Sequence, residues 1–227
     1  MTLMQHFGEL RRRVIWSLIF FAFAFIAGLY AAPIVRGIIT APLFGVWDGA
    51  DMILTGIADN LTIQFSLAGL FAFLVSAPFA LFQLWGYVAP ALKKNERRVA
   101  IPLIIASPML FLAGAGFAYF ILLPIMFEFF IALGDGTAAL MPNVRDYLSF
   151  TIDILKAFGL AFQFPLVLVL LNRAGVLPKK SVLSAGRYII VGIFILSAVL
   201  TPPDVVSQIA LAMPLVMLFG LSLLFMI

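Results

Sequence analysis

Cysteine is absent from this sequence, histidine occurs once, and charged residues are scarce. The 227 residues contain no Cys and one His, His6. Disulfides, thiol catalysis and metal sites built from cysteine or several histidines are therefore excluded. Only 11% of the residues are charged, against about a quarter in soluble domains, and 64% are hydrophobic. Because so few polar residues are available to face water, the sequence predicts an integral membrane protein.

Motifs of enzymes and of nucleotide binding are also missing. The sequence contains no HExxH, Walker A or GxSxG pattern, so we predict no enzymatic activity, no cofactor and no metal site. The net charge is +4, but the basic residues flank apolar segments. Their placement is typical of membrane topology, and we predict no binding of nucleic acid.

Six segments are apolar and long enough to be membrane spans. They lie at roughly 14–32, 63–88, 100–124, 148–172, 187–201 and 205–227, and about 20 residues are needed to cross the hydrocarbon core. The runs are too long and too continuous for barrel strands, so they predict helices. The fifth run is short. The fold class is thus an all-α integral membrane protein with six transmembrane helices, in a single domain over 1–227.

The basic residues predict the orientation of these spans. With six spans, both termini share one side with the connections at 89–99 and 173–187, and that side holds eleven of the 14 Lys and Arg. The other side holds Arg36 and Arg145, and Lys156 lies inside the fourth span. By the positive-inside rule, both termini are cytoplasmic.

Prolines and loops add detail to this arrangement. Pro78, Pro108, Pro165 and Pro214 each fall inside a span, where a proline removes a backbone hydrogen bond and favours a kink. Four kinks predict a concave bundle. The outer loops are 33–62 and 125–147, and the first has room for a short cap helix.

Glu9 and Glu96 are the only carboxylates on the predicted cytoplasmic face, and each lies within a basic cluster. Glu9 precedes Arg12 and Arg13 at the i+3 and i+4 positions of a helix, and Glu96 follows Lys93. One interpretation is local ion pairing, which contributes roughly 0–1 kcal/mol per pair. The other is a site for a cationic partner, in which two carboxylates bind two arginine side chains.

The segment QLWGYVAPALKKNERR at 83–98 also has two interpretations. Trp85 and Tyr87 are typical of an interfacial aromatic belt, and Pro90 ends a helix. The segment is either an ordinary span end or a groove for an extended peptide, with Leu92 as an apolar contact beside Glu96.

The fourth span carries Asp153, Lys156 and Gln163. Ionisable residues at membrane depth are candidates for function. Asp153 and Lys156 are three residues apart, and we expect them to neutralise each other. Gln163 has no local partner. It either binds a backbone carbonyl freed by the Pro165 kink or binds a polar group on another chain.

Several ordered motifs resemble one known family. They are HFGELRRRV at 6–14, APL at 41–43, SAPFALFQLWGYVAPALKKNERR at 76–98, FAYFILLP at 117–124, DYLSF at 146–150, FGLAFQFP at 158–165 and LTPPDVVSQ at 200–208. Together they resemble the TatC family, the polytopic subunits of the twin-arginine protein translocase. The likeness runs essentially from end to end.

The resemblance implies export of folded proteins whose signal peptides carry an arginine pair. It implies that Glu9 and Glu96 bind that pair, and that Arg11, Tyr87, Pro90, Leu92 and Arg97 belong to the same site. It further implies outer-side roles for Pro42 and Asp204. Its implied partners are TatA and TatB, along the fifth and sixth helices, and further copies of the chain itself. Its implied energy source is the proton-motive force across the bacterial cytoplasmic membrane.

The sequence departs from the family pattern at the fourth span, where Gln163 replaces a frequent Glu. A protonatable role is therefore not carried over to Gln163. Two rival functions remain open. One is a small-solute transporter with Asp153, Lys156 and Gln163 as a midplane site, and the other is a purely structural assembly subunit in which Glu9 and Glu96 tolerate replacement.

Overall fold

The computed structural model describes residues 3–47, 52–88, 94–132, 141–173, 175–200 and 205–226. These ranges form eight α-helices and one π-helical turn: α1 (Leu3–Phe44), α2 (Asp59–Val88), α3 (Lys94–Phe117), the π turn (Ala118–Leu122), α4 (Leu123–Ala132), α5 (Val144–Ala161), α6 (Phe164–Arg173), α7 (Lys179–Leu200) and α8 (Val205–Phe225). Within the described ranges, six helical stretches are long and apolar enough to cross a membrane. The prediction of an all-α protein with six transmembrane helices is confirmed.

Two of the six spans are composite. The third runs from α3 through the π turn into α4, and the fourth is interrupted at Phe162 and Gln163, where α5 gives way to α6. The interruption lies just before Pro165, as expected from the missing N–H of proline. The helices containing Pro78, Pro108 and Pro214 continue past these residues, and kinks there stay a prediction.

The first span is much longer than the sequence predicts. The prediction ends it at residue 32 and begins a loop at Pro33, whereas α1 continues through Pro33 and Pro42 to Phe44. At ~1.5 Å per residue its 42 residues extend ~63 Å, about twice the hydrocarbon thickness. A helix of this length can project out of the membrane, so the polar residues Arg36 and Thr40 in its last turns need not lie in the hydrocarbon core. The predicted loop boundary at residue 33 was wrong.

Two further boundaries need correction. The predicted fifth span begins at residue 187, but α7 begins at Lys179 and has 22 residues, so this helix is not short. The short cap helix expected in the first outer loop is not found at residues 52–58. There the Ile53 N–H donates to the Pro142 carbonyl at 3.2 Å, in a bridge beside Asn143.

The helices α1 and α2 lie antiparallel along most of their length. Arg13 donates to the Gln83 carbonyl at one end, and Arg36 donates to the Asn60 side chain at the other. We call the first end, which also contains the end of α8, the termini end. We call the second end, which contains the 52–58 segment and the start of α5, the loop end.

The contact between α3 and α5 depends on two glycines. A Cβ atom added at Gly114 would lie 2.5 Å from the Phe158 carbonyl oxygen, and one added at Gly159 would lie 2.7 Å from the Phe111 ring. Small residues allow helices to approach closely in membranes. The GAGFA segment at 114–118 thus supplies a close helix contact, and Phe111 and Phe158 are fully buried beside it.

Candidate functional site

Glu9 lies on α1 at the termini end, where it pairs with Arg13 one turn further along. Arg13 Nη2 donates to Glu9 Oε1 at 2.6 Å, and Arg13 Nε donates to the same oxygen at 3.1 Å. Both side chains are about three-quarters buried. From the described residues, Glu9 Oε2 accepts no hydrogen bond. The ion pair expected from the i, i+4 spacing is confirmed, and it leaves half of the carboxylate open.

Arg13 also connects this pair to α2. Its Nη1 donates to the Gln83 carbonyl at 3.0 Å. It passes so close to Gly86 that a Cβ atom there would collide with the guanidinium. A groove of about 420 Å³ begins beside Arg13 and runs between the two helices, with walls that include Val14, Leu18, Leu81, Leu84 and Tyr87. Glu9 is therefore paired with an arginine that itself lines an apolar groove.

The other predicted residues of this site are placed only in part. Arg11 is exposed on α1, and Tyr87 is half-buried in the wall of the groove. Glu96 and Arg97 belong to the first turn of α3, and their side chains lie outside the description. Pro90 and Leu92 fall outside the described residues. The grouping of Glu9 with Glu96 stays a prediction.

Gln163 is buried at the break between α5 and α6 and binds α3. Ser107 Oγ donates to Gln163 Oε1 at 2.6 Å, and Gln163 Nε2 donates to the Ser107 carbonyl at 2.9 Å. Neither sequence-based alternative describes this geometry. The carbonyl freed by Pro165 would be that of Ala161, four residues earlier, whereas Gln163 binds the Ser107 carbonyl. The partner also lies in the same chain and not in another one. Two amide hydrogen bonds on one residue fix the distance between α3 and the fourth span.

Trp85 completes this polar cluster, which we define as Trp85, Ser107 and Gln163. The Trp85 indole Nε1 donates to Ser107 Oγ at 2.8 Å. Trp85 is only 6% exposed and packs against Leu166 and Leu170, so its predicted place in an interfacial aromatic belt was wrong. A serine at the centre of a buried cluster has no distinctive sequence signal, and Ser107 was not predicted.

Asp153 and Lys156 lie apart from this cluster. Lys156 Nζ is 3.6 Å from Asp153 Oδ1, which confirms the predicted pairing. The two side chains line a cavity of about 480 Å³ between α1, α2 and α5. Gln163 instead lines an apolar groove toward α7 and α8. The midplane site of a small-solute transporter, which requires all three residues together, is therefore divided between two places.

Pro42, at the loop end, leaves one backbone carbonyl of α1 without its helical hydrogen bond, and a tyrosine supplies the missing donor. Proline at position 42 cannot bond the carbonyl four residues earlier, which is that of Ile38. Tyr119, in the π turn, donates its hydroxyl to the Ile38 oxygen at 2.6 Å. Tyr147 donates similarly to the next carbonyl, that of Ile39, at 2.7 Å. Pro42 is buried, whereas Asp204, its predicted companion in outer-side function, lies outside the described residues.

A buried carboxylate at the loop end was not singled out by the sequence. Asp59 is 4% exposed, accepts the Gly56 N–H at 2.6 Å and pairs with Arg145 at 3.3 Å. It holds the start of α2 to the start of α5. The available signal was the position of Asp59 at the beginning of an apolar helix, where a carboxylate favours the helix terminus.

Comparison with known proteins identifies the family. A family model described as "Sec-independent protein translocase protein (TatC)" matches residues 5–214. A TatC protein of Azotobacter chroococcum mcd 1 is 38% identical over 226 residues, covering 99% of this chain and 89% of the relative. One of Escherichia coli K12 is 34% identical over 224 residues, covering 98% and 87%.

A solved structure is similar over nearly its whole length. A crystal structure described as the twin arginine translocase receptor TatC shares 35% identity, with a TM-score of 0.88 and coverage of 97% of each chain. A second structure of the receptor, in the detergent DDM, gives a TM-score of 0.89. The relatives are named as components of a protein translocase, which is a transport role and not an enzymatic one. This chain belongs to the TatC family of Sec-independent protein translocase proteins.

Proposed function

We propose that this chain is a receptor for twin-arginine signal peptides and that it works with TatA and TatB to export folded proteins. The observation that carries the proposal is the half-open Glu9 carboxylate, held by the same Arg13 that lines the groove between α1 and α2. It offers one oxygen to a cation beside an apolar surface. A twin-arginine signal peptide presents a cationic arginine pair followed by an apolar segment, which matches this arrangement.

Within the Glu9–Arg13 pair, Arg13 fixes the position of the carboxylate that binds the signal peptide. Arg13 is anchored on the Gln83 carbonyl, so it holds Glu9 in one position without covering Oε2. An incoming guanidinium donates to Oε2, and the second arginine of the pair is taken by Glu96 on the first turn of α3. Arginine is favoured over lysine because its planar fork binds a carboxylate through two N–H groups.

The groove continues the site into the membrane. Its lining at Val14, Leu18, Leu81 and Leu84 is apolar, and we assign it to the apolar part of the signal that follows the arginines. Burial of apolar side chains contributes about 25 cal/mol per Å² of surface removed from water. This contribution is independent of the arginine pair, so it sets affinity while the carboxylates set specificity.

Orientation, partners and energy source complete the proposal. Both termini face the cytoplasm of a bacterium, and TatA, TatB and further copies of this chain assemble around it in the inner membrane. The apolar groove between the fourth span and α7 and α8, which has a volume of about 660 Å³, is the surface that we assign to a single-span partner. The proton-motive force supplies the energy.

The test is direct binding of a labelled signal peptide to the purified chain in detergent. Peptides with an arginine pair and with a lysine pair are compared on wild type and on the Glu9→Ala, Glu96→Ala and double variants. Each lost carboxylate removes charge-assisted hydrogen bonds of about 1.5–3 kcal/mol, which corresponds to a roughly 10- to 150-fold loss of affinity. Lysine-pair peptides are expected to bind about as weakly as arginine-pair peptides bind the double variant.

Glu128→Ala, on α4 at the loop end of the third span, is the matched control and should bind as wild type does. Glu96→Gln should lose nearly as much affinity as Glu96→Ala, because charge and not shape is recognised. Equal binding of both peptides by all variants would show that Glu9 and Glu96 are only surface ion-pair partners. Such a result would favour the structural-subunit function.

A further inference from the structure

The cavity between α1, α2 and α5 has a polar wall inside the membrane. Asp153, Lys156, Ser66 and Ser149 line it, together with Phe21 and Phe73. The side chains of Asp153 and Lys156 are 61% and 39% exposed, although they belong to the span Val144–Arg173. A charged side chain exposed at membrane depth is costly unless another polar group contacts it. A polar occupant of the cavity would lower this cost.

The pairing of Asp153 with Lys156 does not satisfy either residue. Their closest nitrogen–oxygen distance of 3.6 Å is too long for a hydrogen bond. In the described part of the chain, no hydrogen bond is made by the hydroxyls of Ser66 and Ser149. A helical serine often binds the carbonyl one turn earlier, as Ser17 does with Arg13. The cavity thus holds an ammonium, a carboxylate and two hydroxyls with unused hydrogen-bonding capacity.

The depth of the cavity matches that of a lipid headgroup drawn slightly inward. The 30-residue span extends ~45 Å, so it exceeds a ~30 Å hydrocarbon core by roughly 7 Å at each end. Asp153 lies nine residues beyond Val144, which places it ~6 Å below the hydrocarbon boundary at the loop end. Lys156 lies one turn deeper, and its aliphatic stem allows the ammonium to rise toward the interface.

We propose that this cavity binds the phosphoethanolamine headgroup of a membrane phospholipid at the loop end. Lys156 and the two serine hydroxyls donate to the phosphate, and Asp153 accepts from the primary ammonium. A headgroup with both charges fits a wall with both charges, whereas a headgroup with only a negative charge would be repelled by Asp153. A quaternary ammonium has no N–H to donate, so phosphocholine is expected to bind more weakly.

The experiment is native mass spectrometry of the purified chain in detergent, titrated with dioleoyl phosphatidylethanolamine, phosphatidylcholine or phosphatidylglycerol. We expect phosphatidylethanolamine to be retained about tenfold more tightly than the other two lipids. Asp153→Asn should remove that preference, because it removes the acceptor for the primary ammonium. Lys156→Gln should instead weaken retention of all three lipids, because it removes a donor to the phosphate that they share. The soluble compound phosphoethanolamine, added as a competitor, should displace the lipid only weakly, which distinguishes a lipid site from a site for the free headgroup.

The controls are charge removals on exposed side chains outside the cavity, namely Asp146→Asn on α5 and Lys180→Gln on α7. They should retain the wild-type preference. Equal retention of the three lipids by wild type would overturn the proposal without reference to any variant. So would tighter binding of phosphatidylglycerol that is strengthened by Asp153→Asn, because it would indicate an anionic-lipid site. Displacement by soluble phosphoethanolamine at equal concentration would also overturn a lipid site.

Discussion

Ser107 is the residue on which the intramembrane polar cluster depends. Its side chain is completely buried, its hydroxyl accepts from Trp85 and donates to Gln163, and its carbonyl accepts from Gln163. One serine therefore connects α2, α3 and the fourth span. A hydroxyl has one donor and two acceptor positions, and the cluster uses the donor and one acceptor.

A double-mutant cycle on Ser107→Ala and Gln163→Leu tests this cluster. Each single change should lower the free energy of unfolding by about 1–2 kcal/mol, because it leaves buried polar groups without partners. The double variant should lose less than the sum, with a coupling energy of at least ~0.5 kcal/mol. The measurement is unfolding of the detergent-solubilised chain in a denaturant titration followed by tryptophan fluorescence.

Ser184→Ala is the matched control, since Ser184 is exposed and bonds only to its own helix. Strictly additive losses would show that Ser107 and Gln163 act independently. Unchanged stability of Gln163→Leu, combined with lost cross-linking to TatB, would return Gln163 to the role of a contact with another chain.

Residue pairs within one helix were the most predictable part of the site. Glu9–Arg13 and Asp153–Lys156 follow from i+4 and i+3 spacing, which places side chains on the same helix face. The Trp85 and Gln163 contacts were missed because their partner lies 22 and 56 residues away. No local pattern encodes which helices will cross at Ser107.

At the scale of the elements, Pro42 and the π turn belong together. Pro42 leaves the Ile38 carbonyl without its helical partner, and the π turn presents Tyr119 to that carbonyl. The tyrosine thus compensates for Pro42, two residues before α1 ends at Phe44. In membranes a proline inside a helix is tolerated when neighbouring groups satisfy the freed carbonyl.

A second cycle, on Tyr119→Phe and Pro42→Ala, tests this relationship. Tyr119→Phe alone should lower the free energy of unfolding by about 1–2 kcal/mol, because the Ile38 carbonyl loses its donor. With alanine at position 42, a backbone N–H becomes available, and the effect of Tyr119→Phe should fall by at least half. The same denaturant titration provides the measurement. An equal loss in both backgrounds would show that Tyr119 does not compensate for the proline.

At the scale of the whole molecule, the distribution of charge predicts sidedness. The chain has no cysteine, so a single introduced cysteine reports its own position. Ile57→Cys, in the exposed connection before α2, should react with an impermeant maleimide added to spheroplasts. Lys180→Cys, exposed at the start of α7, should react only after the membrane is permeabilised. The cysteine-free parent is the background control, and the reverse pattern of labelling would contradict cytoplasmic termini.

Hydropathy and residue spacing by themselves determined that this chain has six segments long and apolar enough to span a membrane, and that Glu9 and Asp153 have cationic neighbours. These features are local, because lipid transfer and helical periodicity act on consecutive residues. Only the tertiary structure decided that α1 runs to Phe44, that Trp85 is buried on Ser107, and that Asp153 and Gln163 face different cavities. Those outcomes depend on which helices pack against each other and at what depth they cross. Contacts between residues far apart in the sequence decide the pairing of the helices and the depth of the crossing.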